Sequence, residues 1–258
     1  MARRYRNVTC RGKRDGFGCQ LLCKMSVAAY CSKHPGLRYV HSPFVSVSHG
    51  WREHSQMINE FIGFPIGRGR RIHVNLKHGD NRVYLNPSYF YDNKCLSMLR
   101  AWYWSGKKPI TQASTEDSIV VHIRRGDLFL HTRTKARLTS NEFYRERIPK
   151  IAASYSDSYR IIIHSEGSPK DFESVFEEWP KDLIDRTVLK LQKEGDEVLG
   201  ENNMLETYHD LVCAKVLVQA KSGLSYTAGL FNENDVYFMP GSNSRGQKCP
   251  HDSWNIMW

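Results

Sequence analysis

The stretch Val120-Val-His-Ile-Arg-Arg-Gly-Asp127 decides how this sequence folds. Residues 118–123 form a short β-branched run, with an acidic pair before it and Gly126 after it. Such a run followed by a glycine is typical of a buried parallel strand and its exit turn. In open α/β sheets, ligands bind outside the carboxyl ends of the strands. The charged end of this stretch therefore predicts a ligand crevice.

Four side chains of the stretch are candidates to face that crevice: His122, Arg124, Arg125 and Asp127. Successive side chains of a strand point to opposite faces, so one arginine can grip a ligand while the other braces the loop. A planar guanidinium binds a phosphate through two parallel hydrogen bonds. The arginine pair therefore predicts a phosphorylated ligand.

His122-Ile-Arg-Arg-Gly-Asp127 resembles the His-x-Arg-Arg-x-Asp motif of the α1,2/α1,6-fucosyltransferase superfamily, where it holds the pyrophosphate of GDP-fucose. Gly16-Phe-Gly-Cys-Gln-Leu21 resembles the segment that opens the catalytic region of the α1,6-fucosyltransferases. Lys221-Ser-Gly-Leu-Ser-Tyr-Thr-Ala-Gly-Leu230 is similar to the serine-rich turn and helix near the end of their donor-binding domain. The resemblance implies an inverting glycosyltransferase that moves fucose from GDP-fucose to a glycan hydroxyl without a metal. The nearest alternative is another donor, such as UDP-xylose, on the same scaffold.

The second half of the chain alternates strands and helices, which favours a doubly wound parallel sheet. Its expected strands are residues 118–123, 160–164, 187–191, 216–219 and 236–239, and its expected helices are 141–154, 170–178, 203–214 and 226–231. The tail after residue 241 shows no pattern of a helix or strand. The first half predicts strands 5–10, 37–40, 72–76 and 83–86, and helices 19–32, 51–62 and 92–104.

Residues 106–117 are polar and broken by a proline, which is typical of a linker. We therefore expect an α/β protein with two Rossmann-like domains, residues 1–112 and residues 113–258. The resemblance implies the GT-B arrangement, in which the donor crevice lies between the two domains. The second domain would bind the nucleotide sugar, and the acceptor would enter from the first.

The diphosphate leaving group gains negative charge during glycosyl transfer, so positive groups and hydrogen-bond donors must stabilise it. We expect His122, Arg124 and Arg125 to supply positive charge, with helix-start amides and hydroxyls as further donors. The other candidate donor-binding residues are Gly16, Gly18, Cys19, Gln20, Ser165, Glu166, Ser222, Ser225 and Tyr226.

A nucleobase contact is the second requirement for binding a donor. The guanine edge carries two N–H donors that suit a carboxylate, and Glu206 or Asp210, on either side of His209, could supply one. Uracil would need a backbone amide and carbonyl instead. The sequence leaves this choice open, with Glu206 as the candidate for guanine.

Asp127 is a candidate catalytic residue with three possible roles: general base, orienter of the acceptor hydroxyl, or partner that fixes an arginine. In the α1,6-fucosyltransferases a glutamate lies a few residues beyond this aspartate, but residues 128–132 here contain no acid. The alternatives for the base are His131, Asp80 and Glu166. The candidate acceptor-binding residues lie in a histidine-rich region that also holds His49 and His78: His54, His73 and Asp80.

The chain has 258 residues and a formal net charge of +10. Residues 1–40 carry nine Lys or Arg against the single acid Asp15. A basic surface of this kind suits nucleic acid, an anionic membrane or a phosphorylated ligand, and a solvated surface explains it equally well. The charge makes a basic nucleic-acid-binding protein the alternative function from another class. Because no recognised nucleic-acid module is present, we expect no nucleic-acid partner.

Neither a run of eighteen apolar residues nor an apolar stretch behind the basic amino terminus occurs. We therefore expect no membrane span and no signal peptide, hence a cytoplasmic enzyme or an excised catalytic domain. Seven irregularly spaced cysteines predict reduced thiols rather than a disulfide framework. Because no paired Cys-x2-Cys and no Asp-x-Asp at a strand end occurs, we expect no metal and no cofactor besides the nucleotide-sugar substrate.

Overall fold

Two parallel β-sheets organise the chain, and each belongs to a separate unit. A computed structural model describes residues 5–10, 15–47, 54–67, 72–74, 81–126, 128, 138–192, 203–240 and 249–257, with the backbone alone at 72–74 and 81. The first unit comprises residues 1–108 with 246–254, and the second comprises residues 109–245 with 255–258. The expected domain boundary at residue 112 and the expected roles of the two domains stay predictions.

In the part of the first unit that the structure describes, the sheet has three parallel strands in the order β2–β1–β3. These strands are β1 (Arg6–Cys10), β2 (Leu37–Tyr39) and β3 (Ile72–Val74). Helix α1 (Phe17–Ser32) contacts β1 and β2 and is buried on nearly every side, since its sequence is dominated by Leu, Met, Ala, Val and Cys. It begins two residues earlier than predicted, so Gly18 lies inside its first turn instead of in a loop.

Four further helices complete the described part of the first unit: α2 (Ser55–Ile62), α3 (Asn81–Leu85), α4 (Pro87–Phe90) and α5 (Asn93–Ser105). The predicted strand at residues 83–86 is wrong, because residues 83–85 lie in α3. Val83 is 1% exposed and α3 contacts α1, so packing overrides the strand propensity of a Val-Tyr-Leu run. Pro87 then begins α4, where its missing N–H does no harm.

Among the described residues, the sheet of the second unit has six strands: β4 (Ser118–His122), β5 (Arg160–Glu166), β6 (Thr187–Gln192), β7 (Val216–Val218), β8 (Asp235–Phe238) and β9 (Asn255–Ile256). All neighbouring strands pair in parallel, in the order β6–β5–β4–β7–β8–β9. Counted from β4, this order is 3-2-1-4-5-6, which is that of the Rossmann sheet, and it reverses between β4 and β7. The predicted α/β class with a parallel sheet is confirmed. The tail was expected to form no element, but it contributes β9.

Helices cover both faces of this sheet. They are α6 (Gln112–Thr115), α7 (Asn141–Ala152), a 3₁₀ helix (Pro169–Phe172), α8 (Glu173–Phe176), α9 (Lys181–Asp185), α10 (Met204–Cys213) and α11 (Gly223–Phe231). The single helix predicted at residues 170–178 is two short helices, and the stretch predicted as a linker contains α6. The helix predicted at 226–231 begins at Gly223, where Ser222 caps it.

The two faces of the central strands differ in chemistry. Ile119, Val121 and Ile123 of the β4 segment, with Ile161 and Ile163 of β5, pack against α7 to α9 in one buried apolar cluster. We call this side the α7 face. The alternate residues of β4 and β5 lie on the opposite side, which we call the α10 face because α10 contacts it. The α10 face is apolar at Val120 and Ile162 but polar at the carboxyl ends of the strands.

Candidate active site

The sequence motif lies where the strand order of the second sheet reverses. Strand β4 ends at His122, and its neighbour β7 ends at Val218, four residues before the Ser222 cap of α11. Carboxyl ends of parallel strands at such a reversal form the ligand crevice of doubly wound sheets. The motif therefore stands at the position where this fold class binds ligands.

Arg125 points to the α7 face and is 3% exposed. Its guanidinium donates to the Thr139 carbonyl at 3.0 Å, to the Arg124 carbonyl at 3.1 Å and to Asn141 Oδ1 at 2.5 Å. Asn141 in turn donates to the Asp171 carbonyl and to Ser174 Oγ. Arg125 thus ties the turn after β4 to the start of α7, which is the bracing role expected for one of the two arginines.

Arg124 lies on the opposite side, with His122. Strand alternation places it on the α10 face, and its positive charge is one of the causes that depress the pKa of His122. Arg124 is half-buried, in contrast to the enclosed Arg125. The two adjacent arginines therefore serve opposite faces of one sheet.

His122 is uncharged. It is 8% exposed, and burial, together with the charge of Arg124, lowers its pKa from 6.5 to about 3. The expectation that His122 supplies positive charge is therefore corrected. Its Nδ1 is buried and has no hydrogen-bond partner among the described residues. A buried imidazole nitrogen without a partner is energetically unfavourable, which makes it a candidate contact for a ligand.

A row of three basic side chains crosses the sheet at the level of His122. His122 of β4 pairs with His164 of β5, and His164 pairs with Lys190 of β6. Asp210 of α10 joins this row, since its Oδ2 accepts from His164 Nε2 at 2.8 Å and from Lys190 Nζ at 2.9 Å. Its Oδ1 accepts from the Ala113 amide at 3.0 Å. We call His164, Lys190 and Asp210, with Thr207, the buried network.

The buried network fixes both protonation and position. Burial alone would raise the pKa of Asp210, but the hydrogen bond from His164 and the charge of Lys190 hold it well below its usual range. Burial lowers the pKa of His164, which favours its neutral form. Because an ionised Asp210 can only accept, His164 Nε2 carries the proton, and Nδ1 accepts from Thr207 Oγ1 at 3.2 Å. The network locks α10 onto β5 and β6.

This geometry changes the choice of nucleobase contact. Asp210 is 0% exposed, and its oxygens already accept three hydrogen bonds, so it is not available to a guanine edge. Glu206 lies one turn earlier on α10 and is half-buried. Of the two acids, only Glu206 remains a candidate.

Three hydroxyls that the sequence suggested as phosphate donors bind the protein itself. Ser165 Oγ donates to the Ile123 carbonyl at 2.6 Å. Ser225 Oγ donates to the Ala220 carbonyl and accepts from its amide, and Ser222 Oγ accepts from the Leu224 amide as the cap of α11. Tyr226 is 2% exposed and packs against Phe238. These side chains shape the turn into α11, and at that turn the backbone amides are the candidate donors.

The candidates in the first unit are placed as follows. Gly16 precedes α1, Cys19 lies half-buried in its first turn, and Gln20 Nε2 donates to the carbonyls of Asp15 and Ser46, which ties α1 to a neighbouring loop. His54 precedes α2, and its buried Nδ1 has no hydrogen-bond partner among the described residues. His73 lies in β3, where the structure describes only the backbone. Asp80, Asp127, His49, His78 and His131 also lie outside the described residues.

Sequence reasoning missed His164, Lys190 and Thr207. His164 follows three consecutive isoleucines within β5 and could have been noticed, because a polar residue inside such a run indicates a partner. Lys190 and Thr207 carry no such signal, since their meeting depends on the register of β5 with β6 and on the rotation of α10.

Within the described ranges of the chain, no cluster of three or more His, Cys, Asp or Glu side chains is arranged to hold a metal ion. Among the helices of the described residues, none has the length and apolarity needed to cross a membrane. All seven cysteines lie in these ranges, and no disulfide joins them.

Comparison with known proteins yields no relative: no protein-family model, no curated protein and no solved structure matches this chain.

Proposed function

We propose that this protein is an inverting glycosyltransferase of GT-B type that uses a nucleotide-sugar donor, with GDP-fucose as the first candidate. One observation carries the proposal: the His-x-Arg-Arg-x-Asp motif stands at the carboxyl end of the first strand of a 3-2-1-4-5-6 sheet, beside the point of reversal. The motif resembles that of the fucosyltransferases, and its place in the fold is where a nucleotide ligand would bind.

The roles of the motif residues follow from their faces. Arg124, on the α10 face, would bind the diphosphate and stabilise the charge that develops on it as the glycosidic bond breaks. Arg125 would hold the turn, as its contacts with Thr139 and Asn141 indicate. His122 would act as a neutral hydrogen-bonding group through its unpartnered Nδ1. Amides at the start of α11 would contribute further donors to the phosphates.

A side chain of α10 would contact the nucleobase of the donor. Glu206 lies in the first turn of this helix and offers carboxylate oxygens to the two N–H groups of a guanine edge. The buried network holds α10 in place and so would fix the position of Glu206. In the GT-B arrangement proposed here, the second unit binds the donor, and the first unit supplies the acceptor side, including His54, His73 and Asp80.

A donor screen tests the proposal directly. We would measure hydrolysis of GDP-fucose, GDP-mannose, UDP-xylose and UDP-glucose, because a bound nucleotide sugar is hydrolysed slowly by water even without its acceptor. We expect GDP-fucose to be hydrolysed fastest, with the rate unchanged in excess EDTA because arginine replaces the divalent ion. Turnover of UDP-xylose alone would show that the donor is UDP-xylose and not GDP-fucose, and the proposed reaction class would stand. Strict dependence on Mn²⁺ or Mg²⁺ would contradict the architecture.

Thermal shift separates this proposal from nucleic-acid binding. GDP should raise the melting temperature more than UDP at low and high salt, since a small ligand in a specific site stabilises the native state by mass action. A shift produced only by a short oligonucleotide, and lost at high salt, would favour a nucleic-acid-binding protein.

A further inference from the structure

Glu166 places a carboxylate at the mouth of the candidate active site. It is the last residue of β5, two positions after His164, so strand alternation puts both on the α10 face. Glu166 is exposed, whereas His164 is buried in the network. The carboxylate is thus the solvent-facing neighbour of the basic row.

Two observations place this carboxylate beside the turn that follows the arginine pair. The Ile123 amide donates to the His164 carbonyl at 2.9 Å, so the pairing of β4 with β5 continues past His122 and sets Arg124 opposite Glu166. Gly126 has a φ of +49°, which favours glycine, and a Cβ there would overlap the Oε2 of Glu166. The turn after the arginine pair therefore passes directly beside the Glu166 carboxylate.

The backbone under Glu166 is held in position. Ser165 Oγ donates to the Ile123 carbonyl at 2.6 Å and makes a longer contact of 3.3 Å with the Glu166 carbonyl. His164 is anchored in the buried network on the other side. A side chain that reaches solvent from a fixed backbone beside the turn of the motif has the properties of a preorganised reactive group.

We propose that Glu166 is the general base of the reaction, an inference that rests on the proposed function. The acceptor hydroxyl loses its proton to a Glu166 carboxylate oxygen as the hydroxyl oxygen bonds to the anomeric carbon. The bond between the anomeric carbon and the phosphate oxygen breaks, and the nucleoside diphosphate leaves with that electron pair near Arg124. Strand β5 thereby supplies the acid that residues 128–132 lack.

The decisive experiment compares two nucleophiles in Glu166→Gln. Water must lose a proton to react, whereas azide attacks the anomeric carbon as an anion and needs no base. With GDP-fucose as the probe, we expect hydrolysis to fall on the order of 100-fold in Glu166→Gln, since general-base catalysis contributes about 10²–10⁴ in rate. Formation of fucosyl azide, followed by mass spectrometry, should remain close to the wild-type rate.

Matched variants make each outcome decisive. Glu173→Gln, an exposed glutamate at the start of α8, should leave both reactions unchanged. Equal loss of both reactions in Glu166→Gln would overturn the proposal and show a positioning role, and so would unchanged hydrolysis. Selective loss of hydrolysis in Asp127→Asn instead would transfer the role to Asp127. If the wild-type protein forms neither product from any of the four donors, the proposed function itself fails.

Discussion

The two faces of strands β4 and β5 use the same backbone for different purposes. On the α7 face the apolar side chains continue along both strands and are 0% exposed in one cluster: Ile119, Val121, Ile161 and Ile163. On the α10 face, the strands change from apolar Val120 and Ile162 to the histidines and charges at their carboxyl ends. The α7 face therefore stabilises the sheet by apolar packing. The α10 face carries the polar site, which depends on the sheet that the α7 face stabilises.

The largest expected effect comes from separating the two arginines. Arg124→Ala should lower donor turnover about 30- to 1000-fold, because a charge-assisted contact that strengthens in the transition state contributes roughly 2–4 kcal/mol. The melting temperature should change little. Hydrolysis rates and thermal denaturation of the same preparation measure both quantities.

Arg125→Ala is the counterpart on the α7 face. It leaves the Thr139 carbonyl and Asn141 Oδ1 without their donor, so the free energy of unfolding should fall by about 1–3 kcal/mol. Arg160→Ala, an exposed arginine at the amino end of β5, serves as the control for both. Full turnover in Arg124→Ala with loss of turnover in Arg125→Ala would reverse the assignment of the faces.

The next effect concerns the buried network. Asp210→Ala removes the carboxylate that accepts from His164 and Lys190, and it should lower the free energy of unfolding by about 2–4 kcal/mol. This figure is below the usual range for a fully buried pair because Lys190 keeps 19% of its side chain exposed. Urea denaturation monitors the change.

A surface ion pair provides the contrast. Asp157 pairs with Arg186 at 3.4 Å and is 93% exposed, so Asp157→Ala should change stability by less than about 1 kcal/mol.

A second substitution tests the buried network further. Replacing Lys190 by Met in the Asp210→Ala background should recover part of the lost stability, since it removes the unpaired ammonium. No recovery would show that the cation was not destabilised by the loss of its partner.

The last effect is a pH dependence at His122. In the unfolded chain this histidine takes up a proton below about pH 6.5. In the folded protein its pKa is about 3, so between pH 6.5 and pH 3 the unfolded state binds more protons and stability falls as the pH falls. From about pH 6.5 to 4.5 this contributes a loss of about 2 kcal/mol. His122→Leu should show a shallower decline in urea denaturation, and an identical decline would refute a buried neutral His122.

The strands of the second sheet were predictable because their signal is local. β-branched runs at Ser118–His122 and Arg160–Glu166 allow few conformations other than a buried strand. The regular alternation with helices then indicates a parallel sheet. The strand β9 was missed because two residues hold too little pattern, and its pairing with β8 depends on a distant part of the chain.

The candidate site was predictable in place but not in detail. Alternation says that Arg124 and Arg125 face opposite sides, yet only packing against α7 shows that Arg125 is the enclosed one. The charge state of His122 depends on burial, which the sequence does not reveal. Ser225 illustrates the same limit, because its hydroxyl could serve a ligand or its own backbone, and the fold commits it to Ala220.

The order of the two units along the chain affects which fragments of the protein can be expressed alone. After the first unit the chain builds strands β4 to β8 of the second, returns to the first at residues 246–254, and then adds β9 to the edge of the second sheet. A fragment that stops at residue 245 would leave β8 as an unprotected edge, which invites pairing between molecules. Recombinant work on the second unit alone would therefore need a circularly permuted gene or a grafted edge strand.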